Sequence, residues 1–273
     1  MLTVKAALEE LMLSMDRTDA VVIVSEVLGV NRAWIAANPM KVLTESQDAR
    51  IDMLAAQRAL GTPVAYLLDR REFYGRDFAL DSSVLIPRPE TETLVEAALA
   101  RMAPTDTLLD LGTGSGAIAV TIACQRPETR VVATEVNPLA LKVARRNAER
   151  HHCTDRIEFL EGSWYEPVGH RTFEVIVSNP PYVAASDPHL GRGDLRFEPK
   201  LALTDGSADG LASIRAIVAG ASDHLEPGGW LLFEHGYDQA EAVHALLEAA
   251  GFGSIVSLQD LAGIPRVAGG KIK

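Results

Sequence analysis

Residues 175–182 join a strand of buried character to polar groups that can make hydrogen bonds. The strand runs into Asn179, Pro180, Pro181 and Tyr182. Proline has no N–H for a sheet ladder, so the strand must end there, and the residue before a proline is held extended. The result is a stiff strand end that presents an amide, backbone carbonyl oxygens and a ring. Taken alone, a Pro-Pro turn capped by Asn179 explains the segment equally well.

A second candidate for chemistry is the glycine-rich loop 112–116, which follows a predicted strand and precedes a predicted helix. Glycines let a ligand approach the backbone, and the helix N-terminus offers N–H groups. The spacing G-x-G-x-G departs from the dinucleotide form G-x-G-x-x-G. Glu135 ends the next predicted strand, where a carboxylate can accept hydrogen bonds from ribose hydroxyls. A nucleotide-type cofactor is therefore predicted, although an NAD enzyme would share the acid and a glycine turn for helix packing stays open.

The elements that must position these segments alternate between strand and helix from residue 107 onward. Predicted strands cover 108–111, 130–135, 157–161, 173–178, 230–234, 254–258 and 266–269, and predicted helices cover 116–125, 138–152, 211–225 and 239–249. Such alternation predicts an α/β fold with a doubly wound, Rossmann-like, mostly parallel sheet. Since no helix separates the last two strands, an antiparallel edge strand is expected.

The topology brings the two candidate segments together. In a doubly wound sheet the ligand lies across the carboxyl ends of the strands, at the point where the strand order reverses. The strand 173–178 is the fourth in the chain and should lie beside the first. Asn179 is therefore expected within reach of a ligand held by residues 112–116.

The N-terminal part of the chain has a different character. Residues 1–70 show apolar positions at helical spacing and no predicted strand, which indicates a separate small helical domain. No catalytic constellation falls in this stretch, so its expected role is substrate recognition or support. Residues 71–89 are predicted to form a β-hairpin linker with Gly75 in its turn. Residues 90–273 are predicted to form the second domain, which begins with a helix over 90–102.

Composition limits the possible settings. The 273 residues carry a net charge of −11, which argues against broad, nonspecific adhesion to nucleic acid or anionic membranes. Cys124 and Cys153 lack CxxC spacing and are expected to be reduced thiols. No apolar run is long enough to cross a bilayer, and His151, His152 and Cys153 are not expected to hold a metal. A cytoplasmic monomer is predicted, without stable binding to nucleic acid or membrane.

Several stretches together resemble known methyltransferases. Asp-Leu-Gly-Thr-Gly-Ser-Gly at 110–116, the acid at 135 and Asn-Pro-Pro-Tyr at 179–182 resemble class I S-adenosylmethionine-dependent enzymes that modify planar amino nitrogens. The chain is further similar to the HemK/PrmC family, protein-(glutamine-N5) methyltransferases that act on peptide chain release factors. This similarity rests on Pro-Val-Ala-Tyr at 63–66, Leu-Ile-Pro-Arg-Pro-Glu-Thr-Glu at 85–92, Arg-Phe-Glu-Pro-Lys-Leu-Ala-Leu at 196–203, Glu-His-Gly at 234–236 and Asp-Leu-Ala-Gly at 260–263.

The resemblance implies roles for matching positions. The cofactor S-adenosyl-L-methionine would contact Gly112, Thr113, Gly114, Ser115, Gly116, Glu135, Trp164 and Asn179, with Glu135 at the ribose and Trp164 at the adenine. The substrate glutamine would contact Asn179, Pro180, Pro181, Tyr182, Phe197 and Glu90. Asn179, Pro180 and Tyr182 would be catalytic. The long loop 183–210 is interpreted as a substrate clamp.

An amide nitrogen is a poor nucleophile because its lone pair is delocalised into the carbonyl. The Asn179 side-chain oxygen and the Pro180 carbonyl can accept both of its N–H hydrogens, and the prolines keep these acceptors rigid. The expected function is methylation of a release-factor glutamine. One alternative is a nucleic-acid adenine or cytosine amino-methyltransferase, which shares the tetrapeptide at 179–182. Another is a noncatalytic nucleotide-binding protein.

Overall fold

The computed structural model describes residues 2–272 and divides into compact units after Arg70. The first unit contains helices α1 (Val4–Leu11), α2 (Arg17–Leu28), α3 (Arg32–Ala37), α4 (Glu45–Ala59) and α5 (Val64–Leu67). Polar residues begin the first four helices because their side-chain oxygens accept backbone N–H groups that have no partner within the helix: Thr3, Asp16, Asn31 and Thr44. Gly29 ends α2 in the left-handed conformation, as its sequence predicts.

A hairpin made of β1 (Arg70–Phe73) and β2 (Arg76–Ala79) leads into the second unit. Its turn residues Tyr74 and Gly75 both have positive φ, the geometry that suits a two-residue hairpin loop. The predicted hairpin is therefore present but shorter than its apolar residues suggested. Leu80, Val84 and Ile86 lie after β2 and are buried outside any strand, because Asp81 closes a turn onto the Ser83 N–H and prolines follow.

The remaining elements alternate as expected. They are α6 (Thr91–Leu99), β3 (Thr107–Leu111), α7 (Ala117–Gln125), β4 (Arg130–Glu135), α8 (Pro138–Arg150), β5 (Ile157–Glu161), β6 (Phe173–Ser178), α9 (Lys200–Leu203), α10 (Ala212–Ala221), β7 (Leu225–Glu234), α11 (Ala240–Ala249), β8 (Gly253–Gln259) and β9 (Pro265–Lys271). Within residues 2–272, seven of the strands form one sheet in the order β5-β4-β3-β6-β7-β9-β8. The first five pair in parallel, and β9 pairs antiparallel with both of its neighbours.

The C-terminal half differs from its sequence prediction in two places. The helix predicted over 211–225 ends at Ala221, and β7 begins at Leu225 rather than at Trp230. Pro227, Gly228 and Gly229 interrupt the apolar pattern, yet a strand accommodates such residues where its register shifts, and here the register with β6 shifts between Phe173 and Val175. The expected terminal hairpin is present, with β8 at the edge and β9 one position inside it.

The sheet of the second unit is covered by helices on both of its faces. Alternate residues of β6 pack on opposite sides: Val175 and Val177 join the cluster of α6, α7 and α8, whereas Ile176 joins the cluster of α10 and α11. Since β4 and β6 flank β3, the strand order reverses at β3. This reversal opens a crevice at the carboxyl ends of β3 and β6. Among the described residues, no helix is long and apolar enough to cross a membrane.

Candidate active site

A cavity of about 350 Å³ lies at this crevice. Its lining includes Gly112, Thr113, Gly114 and Ser115 from the loop after β3, together with Asn179, Pro180 and Pro181 after β6. The two segments singled out in the sequence therefore share one cavity. The β3–β6 pairing brings them together because Leu111 lies opposite Ser178 at the strand ends.

The glycine loop is held by hydrogen bonds to the backbone of β4 and to acidic side chains. The N–H groups of Gly112 and Thr113 both donate to the Thr134 carbonyl, at 2.9 and 3.0 Å. Thr113 Oγ1 donates to Asp110 Oδ2 at 2.6 Å. Gly112 and Gly114 have φ of +72° and +56°, where a side chain would be strained. Asp110 thus holds the loop through Thr113. Its full burial raises its pKa to about 7, although the Thr113 hydrogen bond opposes this shift.

Gly116 has a different position from the other loop glycines. It lies outside the cavity lining and precedes α7 with φ of +80°. A Cβ there would stand 3.2 Å from both Cα and Cβ of Ala144, which is tighter than ordinary packing. The structure therefore gives Gly116 a packing role between α7 and α8. Its predicted contact with a cofactor stays a prediction.

Glu135 lines the cavity at the end of β4 and is 9% exposed. Its Oε2 accepts the Gly114 N–H and its Oε1 accepts the Asn137 N–H, both at 2.9 Å. These bonds lock the carboxylate in one orientation. Each oxygen retains a further lone pair, so the fixed carboxylate suits the two adjacent hydroxyls of a ribose.

Trp164 forms a flat wall beside the glycine loop. It lies in the cavity lining with φ of +44°, and its ring is so close to Gly112 that a Cβ on that glycine would sit 3.3 Å from Trp164 Cζ3. Apolar Ile118 and Val136 also line the cavity. An apolar slot beside a fixed carboxylate and a glycine loop fits an adenosine-type ligand.

Asn179 is held by partners that the sequence patterns did not identify. Its Nδ2 donates to Thr91 Oγ1 at 3.0 Å, and Thr91 Oγ1 donates to Glu234 Oε2 at 2.6 Å. Tyr182 Oη donates to Glu234 Oε1 at 2.9 Å. Thr91 lines the cavity at the start of α6, whereas Glu234 lies beneath it at the end of β7. Thr91 and Glu234 belong to two stretches noted above, 85–92 and 234–236. Their place in these stretches was the sequence signal that could have identified them.

Burial governs the ionisable groups of this cluster. It raises the pKa of Glu234, while the hydrogen bonds from Thr91 and Tyr182 lower it. Burial, followed by the charge of Glu234, raises the Tyr182 pKa well above its usual value, so Tyr182 remains a neutral donor. Tyr182 lies outside the cavity lining and faces Glu234, so its predicted contact with a substrate amide stays a prediction.

The segment 183–210, predicted as a long loop, contains 3-10 turns over Pro188–Gly191 and Gly193–Phe197 and the short helix α9. Pro199, Leu201 and Ala202 from this segment line the cavity. Glu198 is buried, accepts the Ile86 N–H at 3.0 Å and pairs with Arg88. The segment is therefore fastened at its middle.

The two remaining candidate residues lie off the cavity wall. Phe197 is half-buried, with the Arg196 guanidinium 4.8 Å from its ring centre, and it lies outside the cavity lining. Glu90 is also half-buried, lies outside the lining and precedes Thr91 at the start of α6. Their predicted contacts with a substrate stay predictions.

Most of the chain is similar to known proteins. Residues 3–68 match the family described as PrmC N-terminal domain, and residues 89–191 match that described as Methyltransferase small domain. Proteins named release factor glutamine methyltransferase are similar over nearly the full length. The one from Xylella fastidiosa is 48% identical, covering 94% of this chain and 93% of its own. Those from Burkholderia pseudomallei and Vibrio cholerae are 50% identical (94% and 93% covered) and 45% identical (98% and 95% covered).

Solved structures share the fold at lower identity. A methyltransferase from Pyrococcus furiosus superposes with a TM-score of 0.54 at 22% identity, covering 84% of this chain and 98% of that one. The hMettl16 catalytic domain in complex with MAT2A 3′UTR hairpin 1 superposes with a TM-score of 0.60 at 14% identity, covering 81% of each chain. These neighbours support a class I methyltransferase fold.

Proposed function

This chain belongs to the release factor glutamine methyltransferase family, and we propose that it transfers a methyl group from S-adenosylmethionine to the side-chain amide nitrogen of a glutamine in a peptide chain release factor. The observation that carries the proposal is the shared cavity of the glycine loop and Asn179. A cofactor site and a pair of fixed acceptors there lie side by side, as transfer of a small group between two ligands requires.

The proposed cofactor site uses the loop, an acid and a ring. Gly112, Thr113, Gly114 and Ser115 offer backbone groups to the methionine end, Glu135 accepts from the ribose hydroxyls, and Trp164 packs on the adenine. When bound, S-adenosylmethionine supplies a methyl group that its sulfonium already activates. The residues of the chain therefore need to align the target and improve its nitrogen as a nucleophile.

In the proposed reaction, Asn179 Oδ1 and the Pro180 carbonyl accept the two N–H hydrogens of the target amide. These contacts favour a pyramidal nitrogen whose lone pair is available. Pro180 and Pro181 limit backbone motion, so the acceptors need little reorganisation during transfer. The new nitrogen–carbon bond forms as the sulfur–carbon bond breaks, and the nitrogen then loses a proton to solvent.

The proposal extends to the setting of the reaction. The helical unit 1–70 recognises the release factor, and the segment 183–210 clamps the substrate. Pro199 and Leu201, which line the cavity, support the second role. We further propose a cytoplasmic monomer that forms no stable complex with nucleic acid. The net charge of −11 supports the last point.

A transfer assay with deuterated methyl donor tests the function. Purified release factor, DNA and RNA are offered in parallel, and mass spectrometry locates the added group. We expect one methyl group on one release-factor glutamine, and no transfer when that glutamine is replaced by asparagine. Methylation of nucleic acid alone would favour the amino-methyltransferase alternative and overturn the proposal. Binding of NAD without binding of S-adenosylmethionine in calorimetry would overturn it as well.

A further inference from the structure

The hydrogen bonds behind Asn179 have a direction that follows from the groups involved. An ionised carboxylate only accepts, so Thr91 and Tyr182 must each give their single hydroxyl hydrogen to Glu234. The Thr91 oxygen then offers only lone pairs to Asn179, and lone pairs select the Nδ2 end of the amide. With Nδ2 engaged by Thr91, Oδ1 is the amide atom left to accept from a ligand in the cavity that Asn179 lines.

The direction matters because the two ends of an amide have nearly the same shape and opposite hydrogen bonding. An Asn179 reversed about its terminal bond would present its own N–H groups to the N–H groups of a target amide. Such an arrangement repels the target instead of binding it. A site that relies on Asn179 as an acceptor therefore needs something that keeps the amide from reversing.

We propose that Thr91 and Glu234 are positioning residues, which hold the Asn179 amide with Oδ1 toward the target nitrogen, and that they do so only while Glu234 is ionised. The inference rests on the proposed function and deepens it by assigning how its main acceptor is oriented. A neutral Glu234 carries a hydrogen that it can donate to Thr91. The Thr91 hydroxyl can then donate its hydrogen bond to Asn179 Oδ1, so the amide can adopt the reversed orientation.

The surroundings of Glu234 raise the pH at which it ionises. Glu234 is 1% exposed, and this burial is the main cause that raises its pKa. The hydrogen bonds from Thr91 and Tyr182 and the charge of Arg266 on β9 lower the pKa, and the charge of Glu90 raises it. Lowering the pH protonates Glu234, and turnover should then fall. Because the pKa is raised, this fall should begin at a higher pH than an ordinary glutamate would give.

Substitutions at Thr91 test the positioning directly. Thr91→Val removes the hydroxyl at nearly constant shape, and we expect kcat to fall about 10- to 100-fold because the Asn179 amide loses its fixed partner. The KM for the release factor and the Kd for S-adenosylmethionine should stay within about threefold. Thr91→Ser keeps the hydroxyl and should retain most of the turnover.

A matched control is Thr121→Val, which also removes a buried threonine hydroxyl, here from α7 and away from the cavity lining. Among the described residues the Thr121 hydroxyl has no hydrogen-bond partner, so this variant reports the cost of placing valine in the core without the loss of a hydrogen bond. If Thr91→Val turns over as fast as Thr121→Val, the proposal is overturned.

The pH profile of kcat at saturating cofactor tests the role of Glu234. Glu234→Gln removes the titrating group and leaves a single acceptor oxygen for Thr91 and Tyr182. We expect its kcat to be about tenfold lower than that of the unmodified protein near pH 8, with no acid limb. An acid limb unchanged in the variant would contradict the inference.

A readout without turnover separates this inference from the proposed function. In protein labelled with 15N-asparagine, the Asn179 side-chain hydrogens should exchange slowly with solvent, and Thr91→Val should abolish that protection. If no glutamine is methylated, the proposed function fails while this measurement still tests the positioning. Equal exchange in the unmodified and variant proteins would overturn the positioning, whatever the activity.

Discussion

The proposed role of Asn179 as an acceptor is supported by three features of its position. Asn179 follows β6 directly, so the sheet fixes its backbone, and two prolines stiffen the chain after it. It lines the cavity beside the glycine loop. Its side chain is oriented by Thr91. A rigid acceptor of this kind is effective in a transition state because it needs no reorganisation.

Asn179→Ala is expected to separate turnover from cofactor binding. Removing the acceptor should lower kcat by roughly a hundredfold or more, the scale seen when one preorganised polar contact to a reacting group is lost. The Kd for S-adenosylmethionine should change by no more than about threefold, because the loop, Glu135 and Trp164 remain. Single-turnover kinetics and calorimetry measure the two quantities. Equal losses in both would contradict this division of roles.

Asp110→Asn is expected to change how stability depends on pH. The Asp110 pKa is raised from 3.8 to about 7, chiefly by burial, so the folded protein holds a proton that the unfolded chain has lost. Stability therefore decreases as pH rises from about 4 to about 7, by on the order of 3 kcal/mol between pH 5 and pH 8. Asparagine cannot titrate and still offers an oxygen to Thr113, so the variant should lack this contribution.

Urea unfolding of both proteins at pH 5 and pH 8, without cofactor, measures the effect. The difference in unfolding free energy between the two proteins cancels the contributions of the other titrating groups. Parallel pH dependences would show that Asp110 does not carry the proton.

At the scale of elements, the segment 183–210 is tied at its ends and at its middle. The Gln239 amide donates from Nε2 to the carbonyls of Tyr182 and Asp209, both at 3.0 Å, and so joins the two ends of the segment. Glu198 fastens the middle to Ile86 and Arg88. The cavity wall that Pro199 and Leu201 supply is therefore a supported structure rather than a free loop.

Gly210→Ala should disrupt this closure. Gly210 has φ of +66°, and a Cβ there would lie 2.8 Å from the Tyr182 carbonyl carbon and still closer to its oxygen. Because the clash is with backbone, we expect a loss of roughly 2–4 kcal/mol in unfolding free energy and weaker binding of the release factor. Urea unfolding and KM measure these effects.

Gly206→Ala is the matched control for Gly210→Ala. Gly206 has φ of +80° and no atom within 4 Å of an added Cβ, so only backbone strain of about 1 kcal/mol is expected. If both variants lose the same stability, the close approach of Gly210 to Tyr182 is not what matters.

At the scale of the whole molecule, each unit has its own core. Val4, Leu11 and Ile35 belong to one cluster within residues 1–70. The sheet of the second unit is packed on both faces by residues beyond 71. Units with separate cores commonly fold independently, so their functions can be tested apart.

Residues 71–273 alone should bind S-adenosylmethionine with a Kd within about threefold of the full chain, since every residue of the proposed cofactor site lies in this unit. If residues 1–70 recognise the release factor, kcat/KM for that protein should fall roughly tenfold or more. A short glutamine peptide serves as the control and should be methylated equally by both forms. Unchanged methylation of the release factor by residues 71–273 would exclude a recognition role for the helical unit.

The sequence by itself determined the class of fold and the two segments at the site. Strand and helix periods are local properties, so β6 coincides with the predicted strand 173–178, and the glycine loop was evident from its own residues. It did not predict the full length of β7, because Pro227 and Gly228 break the pattern and the strand continues through them only by a shift in its register with β6.

Only the tertiary structure decided what orients Asn179. Thr91 lies 88 positions from Asn179 and 143 positions from Glu234 along the chain. These residues meet because β6 pairs with β7 and α6 packs against β7. Local periodicity carries no information on such contacts, since strand order and helix docking depend on the packing of the whole sheet. The sequence therefore predicted Asn179 as the acceptor, and the fold supplied the residues that bond to its side chain.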